Sequence, residues 1–176
     1  MKRFFILILI ASAALLQAAV TPEQLATLQT VRDIARTVPD GVGETYEDTL
    51  SAICLTESSA GKNIIGDFRP GTKITKASLG PMQIQVATAR YVARRVDPLA
   101  WLEKRTDRQI ANLLLTDLKL SASIAAHYLV ILKNRRHDYM KAVSGYNGGM
   151  ENWPYFIRVM KHMKLVKSLV KSGALK

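Results

Sequence analysis

Glu57 is the carboxyl group whose spacing best suits acid chemistry. If residues 46 to 58 form a helix, Glu57 shares one stripe, at i, i+3, i+4 and i+7, with Leu50, Ile53 and Cys54. A carboxyl group on the core side of a helix loses hydration, which raises its pKa and lets it donate a proton near neutrality. The pattern therefore predicts a general acid. The alternative is a surface carboxylate at a fraying helix end, because charged residues are seldom buried without a partner.

Three short motifs along the chain could surround such an acid. They are Glu57-Ser58, then Ser78-Leu79-Gly80-Pro81-Met82-Gln83-Ile84, then Gly145-Tyr146-Asn147-Gly148-Gly149. Together they resemble, in order, the Glu-Ser, Ser-x-Gly-Leu-Met-Gln and Ala-Tyr-Asn motifs of the soluble lytic transglycosylases, a family with the goose-type lysozyme fold. Tyr128-Leu129 also resembles the Tyr-Leu position of that family. The resemblance extends from about residue 45 to residue 160.

The resemblance implies cleavage of the β-1,4 bond between N-acetylmuramic acid and N-acetylglucosamine in peptidoglycan. Glu57 would protonate the bridging oxygen and then, as a carboxylate, take the proton of the C6 hydroxyl on the same muramoyl residue. The product is a 1,6-anhydromuramoyl end, formed without water. This scheme needs one carboxylate rather than the pair of most hydrolytic glycosidases. The sequence places no second acid obviously on the same surface.

Three residues of the second motif would then bind substrate. Gly80 would let the chain approach a sugar closely, and Met82 would form a flexible apolar wall. Gln83 carries both donors and acceptors and would hold an N-acetyl or hydroxyl group. The structural alternatives are that Gly80-Pro81 simply begins a helix and that Met82 belongs to the core.

The resemblance gives similar tasks to four residues of the other motifs. Tyr146 would donate its hydroxyl to Glu57, and Asn147 would bind substrate or the loop backbone, although Asn147 followed by glycine is also a turn signal. Ser58 and Ser78 would contact the catalytic carboxyl or the muramoyl acetamido group. No role for a metal or cofactor is expected, because the three histidines lack the spacing of zinc ligands and Cys54 is the only cysteine.

Two positions depart from the family pattern. Pro81 replaces the usual leucine and removes one backbone donor, so a backbone contact to sugar at that position is in doubt. Gly145 replaces the usual alanine and loosens the helix end before Tyr146. Neither change affects the proposed acid.

The first 19 residues have the layout of a secretory signal peptide. Lys2 and Arg3 precede an apolar run that ends in Gln17-Ala18-Ala19. We therefore expect cleavage and a periplasmic protein, with an uncleaved anchor in the inner membrane as the alternative. The predicted organisation is a signal peptide over 1–19, a helix and linker over 20–44, and a catalytic domain over 45–176 that ends in a basic helix.

Every long segment after residue 19 is predicted to be helical, so the fold class is all-α in a single domain with at most a trivial β piece. The resemblance to the transglycosylases implies that this domain is lysozyme-like. Thr21 and Thr106 each begin a capping box, and Asp138 caps a short helix. Residues 61–78 show no sustained period and are predicted to form a long loop, whose basic residues suit the carboxylates of stem peptides. Pro81 is predicted to open a helix that runs to Val96.

The chain is basic, with a formal net charge of +11 at pH 7, and this predicts an anionic partner. The last helix is its most basic part, with Arg158, Lys161, Lys164, Lys167 and Lys171 at helical spacing. A separate apolar face is predicted from Phe156, Met160, Met163, Val166 and Val170. The basic residues either attract anionic lipid or wall polymer, or form the solvated face of a core helix. Nucleic acid is not expected, because aromatic stacking residues are not interleaved with the bases.

Two other functions stay open from the sequence. One is a goose-type muramidase, in which a second acid such as Asp67 positions a water molecule and the same bond is hydrolysed. The other is a peptidoglycan-binding accessory factor of a secretion or flagellar assembly.

Overall fold

A computed structural model of the protein describes residues 20–176, so the predicted signal peptide lies outside the described residues. The described chain forms seven α-helices in one compact domain. They are α1 (Pro22–Arg36), α2 (Glu47–Ser58), α3 (Val86–Ala93), α4 (Asp107–Thr116), α5 (Leu118–Arg136), α6 (Tyr139–Tyr146) and α7 (Trp153–Lys171). Two 3₁₀ helices, Ile74–Lys76 and Asp97–Lys104, lie in the connections.

The predicted helix starts are present at the residues that the capping signals mark. The backbone N–H of Gln24 donates to Thr21 Oγ1 at 3.2 Å, and the Gln24 side chain accepts from the Thr21 N–H at 2.8 Å. Thr106 and Gln109 form the same reciprocal pair before α4. Asp138 accepts from the backbone of Lys141 at 2.7 Å. Each cap satisfies backbone donors that a helix terminus would otherwise leave free.

Helix α5 lies at the centre of the domain, as its apolar sequence predicts. It packs against α1, α3, α4 and α6, while α2 packs between α1 and α7. The buried face of α7 consists of Tyr155, Val159, Met163, Val166 and Leu169, so Met163 and Val166 are buried as predicted, while a neighbouring residue replaces each of the other three predicted members. Phe156 and Met160 are only half-buried, and Val170 is exposed.

The segment predicted to be one long loop contains a small antiparallel sheet. Strand β1 (Ile65–Gly66) pairs with β2 (Ser78–Leu79), with Ile65 opposite Leu79 and Gly66 opposite Ser78. The chain then turns back on itself, and Leu79 forms a bridge to Ile84. The fold is therefore all-α with a minor β piece.

The prediction that Pro81 opens a helix is wrong. Gly80 and Gln83 both have left-handed backbone conformations, with φ of +72° and +50°, and the Gln83 N–H donates to the Gly80 carbonyl at 3.0 Å. These contacts form a tight turn over residues 80–83, and α3 begins only at Val86. Proline satisfies the φ of a turn as readily as that of a helix start, which is why the sequence signal was ambiguous.

In residues 20–176, no single helix has both the length and the hydropathy needed to cross a membrane. Helices α4 and α5 taken together have the length and composition of a membrane span, but the chain bends by 104° between them.

Candidate active site

Glu57 lies in the last turn of α2, where its spacing places it. Leu50, Ile53 and Cys54, the apolar members of its stripe, are fully buried. Glu57 is half-buried and lines a cleft of about 410 Å³ that opens on the surface. The carboxyl group therefore lies at the boundary between the core and a space that could hold a polar ligand.

Tyr155 is the hydrogen-bond partner of this carboxyl group. Its hydroxyl donates to Glu57 Oε1 at 2.6 Å, and its side chain is 1% exposed in the first turn of α7. The prediction that Tyr146 donates to Glu57 is wrong, because the Tyr146 hydroxyl donates instead to the Met82 carbonyl at 2.9 Å. Tyr155 was not expected at the site because the predicted apolar face of α7 included Phe156 instead. The i, i+4 spacing of Tyr155 to Val159 was the available signal.

Burial raises the pKa of Glu57 above its ordinary value. The Tyr155 hydrogen bond and the positive charge of Arg158 oppose this rise, whereas the negative charge of Asp67 adds to it. The net rise favours the protonated form, which is the form that a general acid needs. The electrostatics thus agree with the chemistry expected of this residue.

Four of the predicted substrate-binding residues line the cleft together with Glu57. These are Ser78, Gln83, Tyr146 and Asn147. The Gln83 side-chain amide donates to the carbonyls of Gly80 and Asn63, at 2.9 and 3.2 Å, so its position is fixed by the backbone. Most of the Tyr146 side chain is buried, and its ring packs against Tyr128 with centroids 5.7 Å apart. Contact of these four residues with a sugar stays a prediction.

The other three predicted residues support the cleft from behind. Met82 is fully buried and does not line the cleft, so it is a core residue, which was the alternative to its predicted role as a sugar-binding wall. Gly80 does make a close approach, but to protein: a Cβ at this position would collide with the carbonyl of Leu114 at the end of α4. The close approach that Gly80 permits is therefore to α4 and not to a sugar as predicted.

Ser58 connects helix α2 to the turn over residues 80–83. It is 1% exposed, its hydroxyl donates to the Pro81 carbonyl at 2.7 Å, and its oxygen accepts from the N–H of Gly61 at 2.7 Å. Ser58 is not among the residues that line the cleft. Its hydrogen bonds hold the end of α2, and therefore Glu57, against the turn over residues 80–83.

Asp67 is a second carboxyl group in the cleft, which the sequence did not place on this surface. It follows β1, lines the same cavity as Glu57 and accepts a hydrogen bond from the Ser78 hydroxyl at 3.1 Å. Asp67 is exposed, unlike Glu57. The two carboxyl groups thus share one cleft but differ in their exposure to water.

Residues 43–162 match the family model of the transglycosylase SLT domain. The match covers more than half of the 176 residues, and the chain belongs to this family. The resemblance and the lysozyme-like helical class expected from the three motifs are thereby confirmed. Comparisons with curated proteins and with solved structures gave no match. Membership of the family supports lytic transglycosylase activity on peptidoglycan in general.

Proposed function

We propose that the protein cleaves the MurNAc-β-1,4-GlcNAc bond of peptidoglycan by lytic transglycosylation and leaves 1,6-anhydroMurNAc ends. The observation that carries this proposal is the environment of Glu57, a carboxyl group with a raised pKa at the wall of a polar cleft. The hydrogen bond from Tyr155 fixes the orientation of this carboxyl group. An oriented and partly desolvated carboxyl group is suited to transfer a proton in both directions.

In the proposed reaction Glu57 acts first as acid and then as base. Its proton passes to the bridging oxygen, the bond from that oxygen to C1 of the muramoyl residue breaks, and the GlcNAc side leaves as an alcohol. The carboxylate then takes the proton of the C6 hydroxyl as O6 bonds to C1. No water enters, and Glu57 ends the cycle protonated, ready for another turnover.

Substrate would be held by the polar side chains that line the cleft with Glu57. Ser78, Gln83 and Asn147 offer hydroxyl and amide groups for the N-acetyl and hydroxyl groups of the sugars. Tyr128 and Tyr146 add aromatic surface. Ser58, Gly80 and Met82 act indirectly in this proposal, by fixing the turn and the end of α2.

Hydrolysis by a muramidase mechanism is the second candidate, because Asp67 shares the cleft with Glu57. In that reaction Asp67 would position a water molecule, and the product would carry a reducing muramic acid end. Asp67→Asn separates the two mechanisms. Hydrolysis predicts a large loss of activity in this variant, whereas transglycosylation through Glu57 alone predicts that most activity remains.

The experiment that tests the proposal is mass spectrometry of the soluble products released from purified sacculi. Wild-type protein should release anhydromuramoyl products, and Glu57→Gln should reduce their release by about 10² to 10⁴-fold, the range typical of general acid-base groups. Glu103→Gln, which changes an exposed glutamate in the second 3₁₀ helix, is the matched control. Reducing ends would favour the muramidase. Absence of release by any of these proteins would favour the peptidoglycan-binding role in a secretion or flagellar assembly.

We further propose that the protein acts in the periplasm after removal of residues 1–19. Cell fractionation and N-terminal sequencing of the purified protein test this. A mature N-terminus near Val20 in the periplasmic fraction is the expected result, whereas an intact N-terminus in the membrane fraction would support the anchored alternative.

A further inference from the structure

The cleft that holds Glu57 continues into a second hollow along α3 and α5. Thr88 and Tyr128 line both spaces, which makes them parts of one groove. The second hollow has a volume of about 360 Å³ and is lined further by Tyr91, Leu132, Arg135 and Arg136. We call this end of the groove the arginine hollow.

Tyr91 contacts two guanidinium groups, of which one lines the arginine hollow. Arg135 donates to the Tyr91 hydroxyl at 2.7 Å, and the guanidinium of Arg95 stacks on the Tyr91 ring, 3.8 Å from its centroid. Both arginines are exposed. Within residues 20–176, neither forms an ion pair with a carboxylate. Of the two, Arg135 lines the arginine hollow, and its positive charge is therefore available to a ligand there.

Arg136 is the second guanidinium that lines the hollow, and its position explains one departure from the family pattern. It lies where a Cβ on Gly145 would be, so the alanine usual in the family would collide with it. Its Nη1 donates to the carbonyls of Gly149 and Lys141. Arg136 likewise has no carboxylate partner in the described part of the chain. Glycine at position 145 thus makes room for a fixed positive charge beside the groove.

The ligand that this hollow suits carries carboxylates. Planar guanidinium groups bind carboxylates through paired hydrogen bonds, and a groove lined by one sign of charge concentrates the opposite sign. In peptidoglycan the saccharides are uncharged once muramic acid is amidated, and the carboxylates belong to the stem peptide. The basic residues of the 61–78 segment, expected from the sequence to meet stem peptides, line neither part of the groove.

We propose that the arginine hollow binds a carboxylate of the stem peptide on a saccharide bound near Tyr128, so that the enzyme selects glycan that still carries peptides. This inference rests on the proposed function. Arg135 would contact the carboxylate directly, and Tyr91 would be a positioning residue that orients Arg135 through its hydroxyl.

The test compares uncrosslinked glycan strands that carry stem peptides with the same strands stripped of peptides by an amidase and then capped as methylamides at the lactyl carboxyl groups that the amidase exposes. Arg135→Gln should lower kcat/KM on peptide-bearing strands by about tenfold, because a hydrogen bond to a charged group is lost. The same variant should remain within about twofold of wild type on stripped strands. Tyr91→Phe should show a smaller loss of the same selective kind. Arg108→Gln, an exposed arginine that lines a different hollow with Trp101, should change neither rate.

A binding measurement keeps this inference separate from the proposed reaction. Calorimetry with the Glu57→Gln protein compares a disaccharide that carries a tripeptide with the same disaccharide whose lactyl carboxyl group is capped as a methylamide. Arg135→Gln should remove the preference for the first. Equal effects of Arg135→Gln on both substrates, or none on either, would overturn the inference while cleavage by Glu57 stands. If the wild-type protein cut neither kind of strand, the proposed function would be overturned. The calorimetry would still show whether the arginine hollow binds the stem peptide.

Discussion

The proton-transfer properties of Glu57 arise from opposing effects that come from different parts of the chain. Burial at the end of α2 raises the pKa of the carboxyl group, and the Tyr155 hydroxyl, 98 residues further along, lowers it. The hydroxyl also fixes which oxygen faces the cleft. Because the pKa of Tyr155 itself is strongly raised by burial and by Glu57, this tyrosine stays protonated and keeps donating. The pair therefore forms a stable acid with a defined orientation.

Tyr155→Phe should move the alkaline limit of activity to higher pH. The hydrogen bond lowers the pKa of Glu57, so its loss raises that pKa further, and the protonated acid persists to higher pH. At the same time kcat should fall by about tenfold, since a charge-assisted hydrogen bond that orients the carboxyl group is lost. The pH dependence of kcat/KM on soluble glycan strands is the measurement.

The matched control for this prediction is Tyr139→Phe. It removes a partly buried hydroxyl that bonds to Thr49 at 2.8 Å rather than to Glu57. Its pH profile should coincide with that of wild type. An unshifted profile in Tyr155→Phe would show that the hydrogen bond does not influence the titration of the acid.

At the residue scale, the sequence could predict the features that depend on local spacing along a helix. The position of Glu57 on a buried stripe follows from residues 50–57 alone. The pairing with Tyr155 depends on how α7 packs against α2, and a displacement of about one residue in the buried face of α7 decides whether Tyr155 or Phe156 points inward. Such tertiary contacts are not encoded in local periodicity.

Among the elements, the turn over residues 80–83 positions the polar wall of the cleft. It places Gln83 beside Glu57 and offers the Met82 and Pro81 carbonyls to Tyr146 and Ser58. The sequence predicted a helix here, because proline fits the first turn of a helix as well as a β-turn. The left-handed conformation of Gln83, uncommon for a residue with a side chain, could not be expected from its type.

Gly80→Ala should destabilise the protein by more than Gly71→Ala. Both glycines have positive φ, +72° and +84°, and alanine in that conformation costs about 1–2 kcal/mol. A Cβ at Gly71 meets no atom within 4 Å, whereas one at Gly80 would overlap the Leu114 carbonyl and add about 1–3 kcal/mol. Urea unfolding of both variants measures the difference. Equal free energies of unfolding would mean that the turn does not depend on its contact with α4.

Helix α7 combines a core face with an exposed basic face. Lys161, Lys164, Lys167 and Lys171 are exposed, together with Trp153 and Ile157, which are 53% and 63% exposed. Because the opposite face of α7 packs into the core, the basic residues form the solvated face of a core helix, as one of the two sequence interpretations expected. The exposed residues still form a surface of lysines and apolar side chains, which is the combination that lies on anionic bilayers.

The folded protein should bind vesicles that contain anionic lipid at low salt. Lys161→Gln with Lys164→Gln should weaken this binding by about tenfold or more, since each lysine near an anionic surface contributes about 1 kcal/mol. Neutralising Lys104 and Lys119, which lie outside α7, is the control. Vesicle co-sedimentation at two salt concentrations measures the effect, and equal weakening by both pairs would point to net charge rather than to the α7 surface.

At the scale of the whole molecule, a buried charge connects α1 to α2, the helix that carries Glu57. Arg32 of α1 is 2% exposed; it forms an ion pair with Asp48 in the first turn of α2 and donates to the Lys176 carbonyl at 2.8 Å. The family match begins only at residue 43, yet these contacts make α1 part of the same core. The predicted boundary between residues 20–44 and 45–176 is therefore not a boundary in the packing, because α1 packs against helices of the second segment.

The two partners of this ion pair should respond unequally to removal. Asp48→Ala leaves a buried guanidinium without its carboxylate, which should cost about 3–5 kcal/mol of unfolding free energy. Arg32→Met should cost less, because the Asp48 side chain is 38% exposed and can turn to water. Asp33→Ala breaks a longer contact to Arg36, between side chains 59% and 39% exposed, and should cost at most about 1 kcal/mol. Chemical denaturation orders the three variants. If Arg32→Met proved the more damaging, the guanidinium would matter chiefly through its other hydrogen bonds, such as the one to Lys176, because methionine keeps the apolar stem of the side chain.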